Sequence, residues 1–130
     1  DINRQYGKND PINKVVEDLV RKNDMVFDFH EGYDYHIMNE SSIGSTLTST
    51  NNINMCYYII KHLNDYIKDD RKKFVFIDDK PNIIGSLREF CEGINKKYVL
   101  VETTRIENIS IRIIKCNIII QCIIDYLSSS

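Results

Sequence analysis

Residues 25–36 read MVFDFHEGYDYH. Met25, Val26 and Phe27 announce a core strand, yet the run passes directly into Asp28, His30 and Glu31 and then into Gly32. Acids and an imidazole at the end of a buried strand are costly unless they bind something. A metal ion fits those residue types. Neutral imidazole gives one ring nitrogen to the metal, and a carboxylate takes the N–H of the other. The two-residue period of a strand puts Asp28 and His30 on one face and Glu31 on the opposite one. His30 is therefore the candidate ligand and Asp28 its candidate supporting partner, while Glu31 should point away. The competing reading is that a lone strand-end histidine is hydrogen-bonded and structural. HEGYDYH does not have the spacing of two ligands one helical turn apart. Gly32 interrupts the strand pattern, which makes His36 a weaker candidate than His30. His62, between Lys61 and Leu63, reads as structural or exposed. A second apolar run, YVLV, ends in Glu102. Taken alone, that glutamate is a strand-end carboxylate facing solvent.

The elements that must carry these residues follow from periodicity. Residues 11–23 open with a proline and place Ile12, Val15, Val16, Leu19 and Val20 at helical spacing. Residues 25–30 form a strand. The stretch 32–52, rich in Ser, Thr, Asn and Gly, reads as a long loop, of the kind that is usually functional. A helix is expected over 53–68, with Ile53, Tyr57, Ile60, Leu63 and Ile67 on one face. FVFIDD (74–79) is a strand, Lys80-Pro81-Asn82 a turn, and Asn82 the cap of a helix over 83–95. KYVLVETT (97–104) is the third strand and 107–127 the last helix. Alternating helices and strands define an α/β domain, three-layered, with a mostly parallel or mixed sheet flanked by helices. In such sheets ligands bind beyond the carboxyl ends of the strands, where His30 and Glu102 both fall.

Composition narrows the options. The chain has 130 residues, one domain's worth, and a net charge of −2. That charge gives no electrostatic case for nucleic acid or an anionic membrane. IIKCNIIIQCII (113–124) is interrupted by Lys115, Asn117 and Gln121, which argues against a membrane span. Cys56, Cys91, Cys116 and Cys122 lack CxxC spacing and sit in apolar contexts. They read as small core residues of a protein in the reducing cytoplasm.

Three segments, in order, resemble the zinc carboxypeptidase superfamily and its succinylglutamate desuccinylase/aspartoacylase-like branch. DINRQY (1–6) is similar to the D-x-N-R-x-F/Y stretch of those enzymes. FDFHEGYDYHIMNESSIGSTL (27–47) is similar to the D-L-H-E strand and following loop of the desuccinylase-like branch. YVLVETTR (98–105), followed by a helix with Arg112, is similar to the strand that carries the catalytic glutamate. The resemblance implies a single, N-terminally truncated catalytic domain over 1–130. It implies zinc held by two histidines and a glutamate, with His30 as the second histidine. It makes Glu102 the general base and acid, and Asn3 and Arg4 the anchor for the substrate's carboxylate. The upstream H-x-x-E motif that supplies the other two ligands is absent from this sequence. One histidine does not make a catalytic zinc site, so these residues alone are expected to be inactive.

The expectation is thus part of a zinc-dependent hydrolase that cleaves an amide bond near a carboxylate. Its substrate would be a small carboxylate-bearing peptide or an acyl-amino acid. The alternative is a degenerate, non-catalytic relative kept as a binding or structural module. An unrelated α/β domain would instead leave His30 and Glu102 on distant, non-adjacent strands.

Overall fold

The computed structural model describes residues 2–78 and 83–129. A 3-10 turn (Ile2–Arg4) precedes helix α1 (Pro11–Arg21) and strand β1 (Met25–Gly32). Strand β2 (Thr46–Thr48), helix α2 (Ile53–Asn64), a second 3-10 turn (Asp70–Lys72) and strand β3 (Val75–Phe76) follow. Helix α3 (Leu87–Gly93), strand β4 (Lys97–Thr104) and helix α4 (Ile109–Ser128) complete the order. The four strands form one mixed sheet in the order β1-β4-β2-β3. β1 runs parallel to β4, β2 antiparallel to β4, and β3 parallel to β2.

β4 organises the sheet. Every residue after Lys97 in it is buried, as expected of a strand whose apolar run is covered on both faces. Val99 and Val101 pack with Leu47 against Ile59 and Leu63 of α2 and Ile119 and Ile123 of α4. Tyr98 and Leu100 point the other way, toward Val20 of α1 and Cys91 and Phe90 of α3. Alternation along one strand thus separates two apolar clusters and makes the three layers.

β2 was hidden in the stretch expected to be loop. TLT is only three residues long, but two of them are β-branched and all three are buried. β3 is shorter than the expected 74–79 because its partner β2 ends after three residues. Phe74 leaves the ladder early: its N–H donates to Asn64 Oδ1 at 2.8 Å, and its carbonyl accepts from Asn64 Nδ2 at 2.9 Å.

The helices shift relative to the sequence expectation. In α1 the buried residues are Asn13, Glu17 and Val20, while Ile12, Val15 and Leu19 face out. Glu17 is held inward because its Oε1 accepts the Gly7 N–H at 2.6 Å. In α2 the buried face is Met55, Cys56, Ile59 and Leu63, and Tyr57 turns outward onto Phe76, ring centroids 5.1 Å apart. The expected cap Asn82, with Asp79, Lys80 and Pro81, lies outside the described residues. α3 is instead capped by Ser86, whose Oγ accepts the Glu89 N–H at 3.1 Å, while Glu89 Oε1 accepts the Gly85 N–H at 3.0 Å.

All four cysteines are free, three of them buried. Burial pushes the thiols of Cys56 and Cys91 up to about 12, as suits inert core residues. No described helix is long and apolar enough to cross a membrane. In α4 neighbouring isoleucines have opposite surroundings: Ile119 is fully buried and Ile120 is exposed. Ile119→Ala should therefore cost ~2–5 kcal/mol of stability, and Ile120→Ala no more than about 0.5 kcal/mol. Urea unfolding of the two variants checks this register of the helix.

Candidate active-site cleft

The β1–β4 register sets His30 opposite Glu102 on adjacent parallel strands. On its other side Glu102 pairs with Thr46 of β2. Both His30 and Glu102 lie on the α1/α3 side of the sheet, in step with Asp28, Tyr98 and Leu100. A cleft of ≈ 310 Å³ opens there, and Asn3, Arg4, His30 and Glu102 all line it. The four residues singled out in the sequence, from three separated segments, therefore share one concavity.

Each is positioned by a specific local device. His30 Nε2 lies 3.0 Å from Asp28 Oδ1, and the Tyr98 hydroxyl donates to Asp28 Oδ2 at 2.7 Å. Asp28 thereby ties the strand-end imidazole to a buried phenol on β4. Burial, then the Asp28 charge and hydrogen bond, drive the Tyr98 phenol far above its ordinary value. Glu102 is only 4% exposed, so its carboxyl is largely withdrawn from water.

Arg4 is half-buried and Asn3 exposed; Arg4 Nη1 donates to the Asn3 carbonyl at 3.0 Å. Their turn is seated against Gly85, whose φ is +78°. A Cβ at Gly85 would lie 2.1 Å from the Arg4 carbonyl oxygen, so only glycine lets the two segments touch. The Tyr6 N–H donates to the Gly85 carbonyl at 3.0 Å and closes the same junction.

The loop after β1 is fixed in a similar way. β1 runs on to Gly32, two residues past the expected end. A Cβ at Gly32 would lie 2.3 Å from the Gly44 nitrogen, and one at Gly44 would lie 2.3 Å from the Asp34 carbonyl oxygen. Ser45 and Thr46 are buried and spent on Thr104 Oγ1 (2.8 Å) and the Ile43 carbonyl (2.6 Å), while Ile43 reaches the cleft. A buried cluster pins the loop to α4: the Tyr35 hydroxyl donates to Glu107 Oε2 at 2.6 Å, and Lys115 Nζ lies 2.8 Å from Glu107 Oε1. Glu31 pairs with Arg112 and lies 4.0 Å from Arg105 Nε. His36 and His62 serve the backbone, through the Ser42 carbonyl at 2.7 Å and the Tyr58 carbonyl at 2.9 Å.

Sequence reasoning missed Tyr98 and Arg88, which also line the cleft. Tyr98 was within reach: it stands four residues before Glu102 on a strand and so shares its face. Arg88 had no readable signal, because it sits in a helix whose start the sequence pattern places too early.

A catalytic zinc ion needs several protein donors at once. His30, with Asp28 behind it, has the chemistry of one nitrogen ligand. Among the described residues no three His, Cys, Asp or Glu side chains gather to hold an ion. These residues do not complete a zinc site.

The architecture is that of a known class, a three-layer α/β domain on a mixed sheet. No protein-family model matches the chain, and no curated protein matches it by sequence. Solved structures do match. Tripeptide-bound Csd4, a cell shape determinant of Helicobacter pylori, superposes with a TM-score of 0.85 at 14% identity, over 98% of this chain and 38% of that one. The mDAP-bound form of Helicobacter pylori Csd4, a D,L-carboxypeptidase, gives 0.83 at 14% identity over 97% and 37%. Apo Csd4 gives 0.82 at 15% identity over 97% and 37%. The chain thus has the fold of a little over a third of the Csd4 chain, and at this identity the likeness shows the fold alone.

The Tyr98 hydroxyl yields a prediction about pH. Its folded-state value is raised, so the stability it contributes is complete below the ordinary phenol value of about 10 and is lost as pH rises beyond it. Tyr98→Phe should cost about 1–2 kcal/mol at pH 8 through the lost hydrogen bond to Asp28. The gap between the two proteins should narrow steadily from pH 10 upward. Thermal melts of both across pH 8–11 check the sign; a gap that widens would contradict it.

Proposed function

We propose that this chain carries part of the active site of a zinc-dependent hydrolase of carboxypeptidase type, cutting an amide bond beside a carboxylate in a small peptide. The observation that carries the proposal is the convergence of Asn3, Arg4, His30 and Glu102 on one cleft, with His30 beside Glu102 across the β1–β4 register. His30 would be one zinc ligand, its ring oriented by Asp28. The remaining ligands would come from protein outside these 130 residues. Zinc bound there would supply a Lewis acid and an acidified water.

Glu102 is the general base and acid. Its withdrawn carboxyl takes the proton of the attacking water and returns it to the leaving nitrogen. Arg4 presents a planar fork to the substrate's carboxylate, and Asn3 adds an amide donor. The D-x-H-E strand motif supports the desuccinylase/aspartoacylase-like branch and hence an acyl-amino acid. The tripeptide and mDAP ligands of the fold neighbours support a peptide, and we take the peptide as the substrate class. A second reading, a non-catalytic relative serving as a binding module, is favoured by the missing three-donor cluster among the described residues.

Elemental analysis of the native-length protein beside its His30→Ala variant separates the two readings. About one zinc per chain, lost in the variant, is the expected result for the enzyme; no zinc in either protein selects the binding module. Given a zinc protein, Glu102→Gln should keep the metal and lose roughly 10²–10⁴-fold in kcat, the usual worth of a general base.

A further inference from the structure

Helix α4 is apolar on two sides. Its inner face seats Ile119, Cys122 and Ile123 in the core shared with α2. Its outer face carries Ile109, Ile113, Ile114, Ile120, Ile124 and Leu127, all of them exposed. Ile113, Ile114, Ile120 and Ile124 leave between 45 and 56% of their surface in water. Single exposed aliphatic residues are ordinary, but a continuous row of them marks an interaction surface. A helix that is hydrophobic all round is normally buried. A bilayer is a poor cover, since no described helix is long and apolar enough to cross one. Nor is there a basic rim to draw the face to an anionic lipid surface. Arg112 and Lys115, the two cations of α4, turn inward to Glu31 and Glu107.

The spacing of the row says what kind of surface fits it. Ile113, Asn117, Ile120, Ile124 and Leu127 follow at steps of four, three, four and three residues. That is the seam of one helix packed lengthwise on another. From Ile109 to Leu127 it runs for about 27 Å, at 1.5 Å per residue. The seam bears no charge, so it matches a second uncharged seam rather than an acidic or basic partner. Its central polar member is Asn117. A side-chain amide both donates and accepts, so two copies of it can satisfy each other. One asparagine in an apolar seam is also a known device for fixing register and partner number. Six half-exposed aliphatic side chains offer roughly 400 Å² of apolar surface. Doubled by symmetry and joined by a polar rim, that reaches the ~1,000 Å² in total that a specific interface needs.

We propose that α4 is a homodimer interface. Two copies of this chain pair helix on helix about a two-fold axis close to Asn117, whose amide meets the partner's Asn117. The cleft lies on the α1/α3 side of the sheet and α4 on the other. Pairing therefore leaves both clefts open, and the inference stands apart from what the cleft does.

The test is the mass of the native-length protein in solution, by sedimentation velocity across micromolar concentrations. The wild type should sediment as a dimer. Ile120→Glu/Ile124→Glu would bury unpaired carboxylates in the seam and should give a monomer. Asn117→Asp would set two like charges against each other at the axis, and should weaken the dimer roughly tenfold or more at pH 8. Ile12→Glu, on the exposed face of α1 across the sheet, should leave the dimer intact. Ile120→Ala keeps its small effect on folding in the dilute monomer and weakens pairing at higher concentration. A monomeric wild type overturns the proposal; if Ile120→Glu/Ile124→Glu also destabilises that monomer, further protein of the same chain is what covers the row. A dimer that survives Ile120→Glu/Ile124→Glu, or one unmoved by Asn117→Asp, is equally fatal. Should the glutamate variant not fold, Ile120→Ser/Ile124→Ser takes its place with the same expected result.

Discussion

The packing of β4 on both faces is the constraint on which the rest of the molecule depends. Val99 and Val101 are committed to the α2/α4 cluster, and Tyr98 and Leu100 to the α1/α3 cluster. A slip of one residue would reverse every one of these side chains. The same alternation therefore dictates that Glu102 emerges on the α1/α3 side. The parallel register with β1 then brings His30 beside it, and the antiparallel register with β2 brings Thr46 to its other flank. Hydrophobic packing fixes the site's geometry as a consequence of fixing the sheet.

Several polar groups near the cleft are tied to others across two elements. Asp28 joins β1 to β4 through Tyr98, and Arg112 of α4 engages both Glu31 and the Glu107 carbonyl. Tyr35, Glu107 and Lys115 join the loop after β1 to the turn after β4. These are the two segments that leave His30 and Glu102. Buried charges arranged in this way are weak sources of stability and stronger sources of specificity in position. Here they hold the exits of both site strands, where backbone freedom would otherwise be greatest.

What was legible in the sequence followed from period and chemistry. The strand over 97–104 came out to the residue, because a short, continuous apolar run that stops abruptly at polar groups fits a buried strand and little else. The sequence pattern ends β1 at residue 30, since Gly32 reads as a terminator, whereas the strand runs to Gly32. Its lack of a side chain in fact serves a close approach to Gly44 that no local pattern announces. β2 was lost in a Ser/Thr-rich stretch because three residues are too few to show a period. In α1 Val16 and Val20 of the expected face do turn inward, whereas Ile12, Val15 and Leu19 face out and Asn13 and Glu17 are buried beside Val20. A polar side chain can be buried only where a partner waits, and such partners, here Gly7 for Glu17, are tertiary facts. The cleft itself was legible through residue type at strand ends, whereas Arg88 depended on a helix boundary set by Ser86.

Both apolar clusters are built from this chain's own residues, and neither draws on the side chains of His30 or Glu102 for its bulk. His30 and Glu102 are thus neighbours because of the sheet and would remain so in the absence of any ligand. For the active site proposed above, the energy of holding these groups side by side would thus be spent on folding, before a substrate arrives. It also separates fold from chemistry. A scaffold that keeps an imidazole beside a withdrawn carboxylate can lose catalysis by losing donors that lie elsewhere, while its cleft keeps shape and charge.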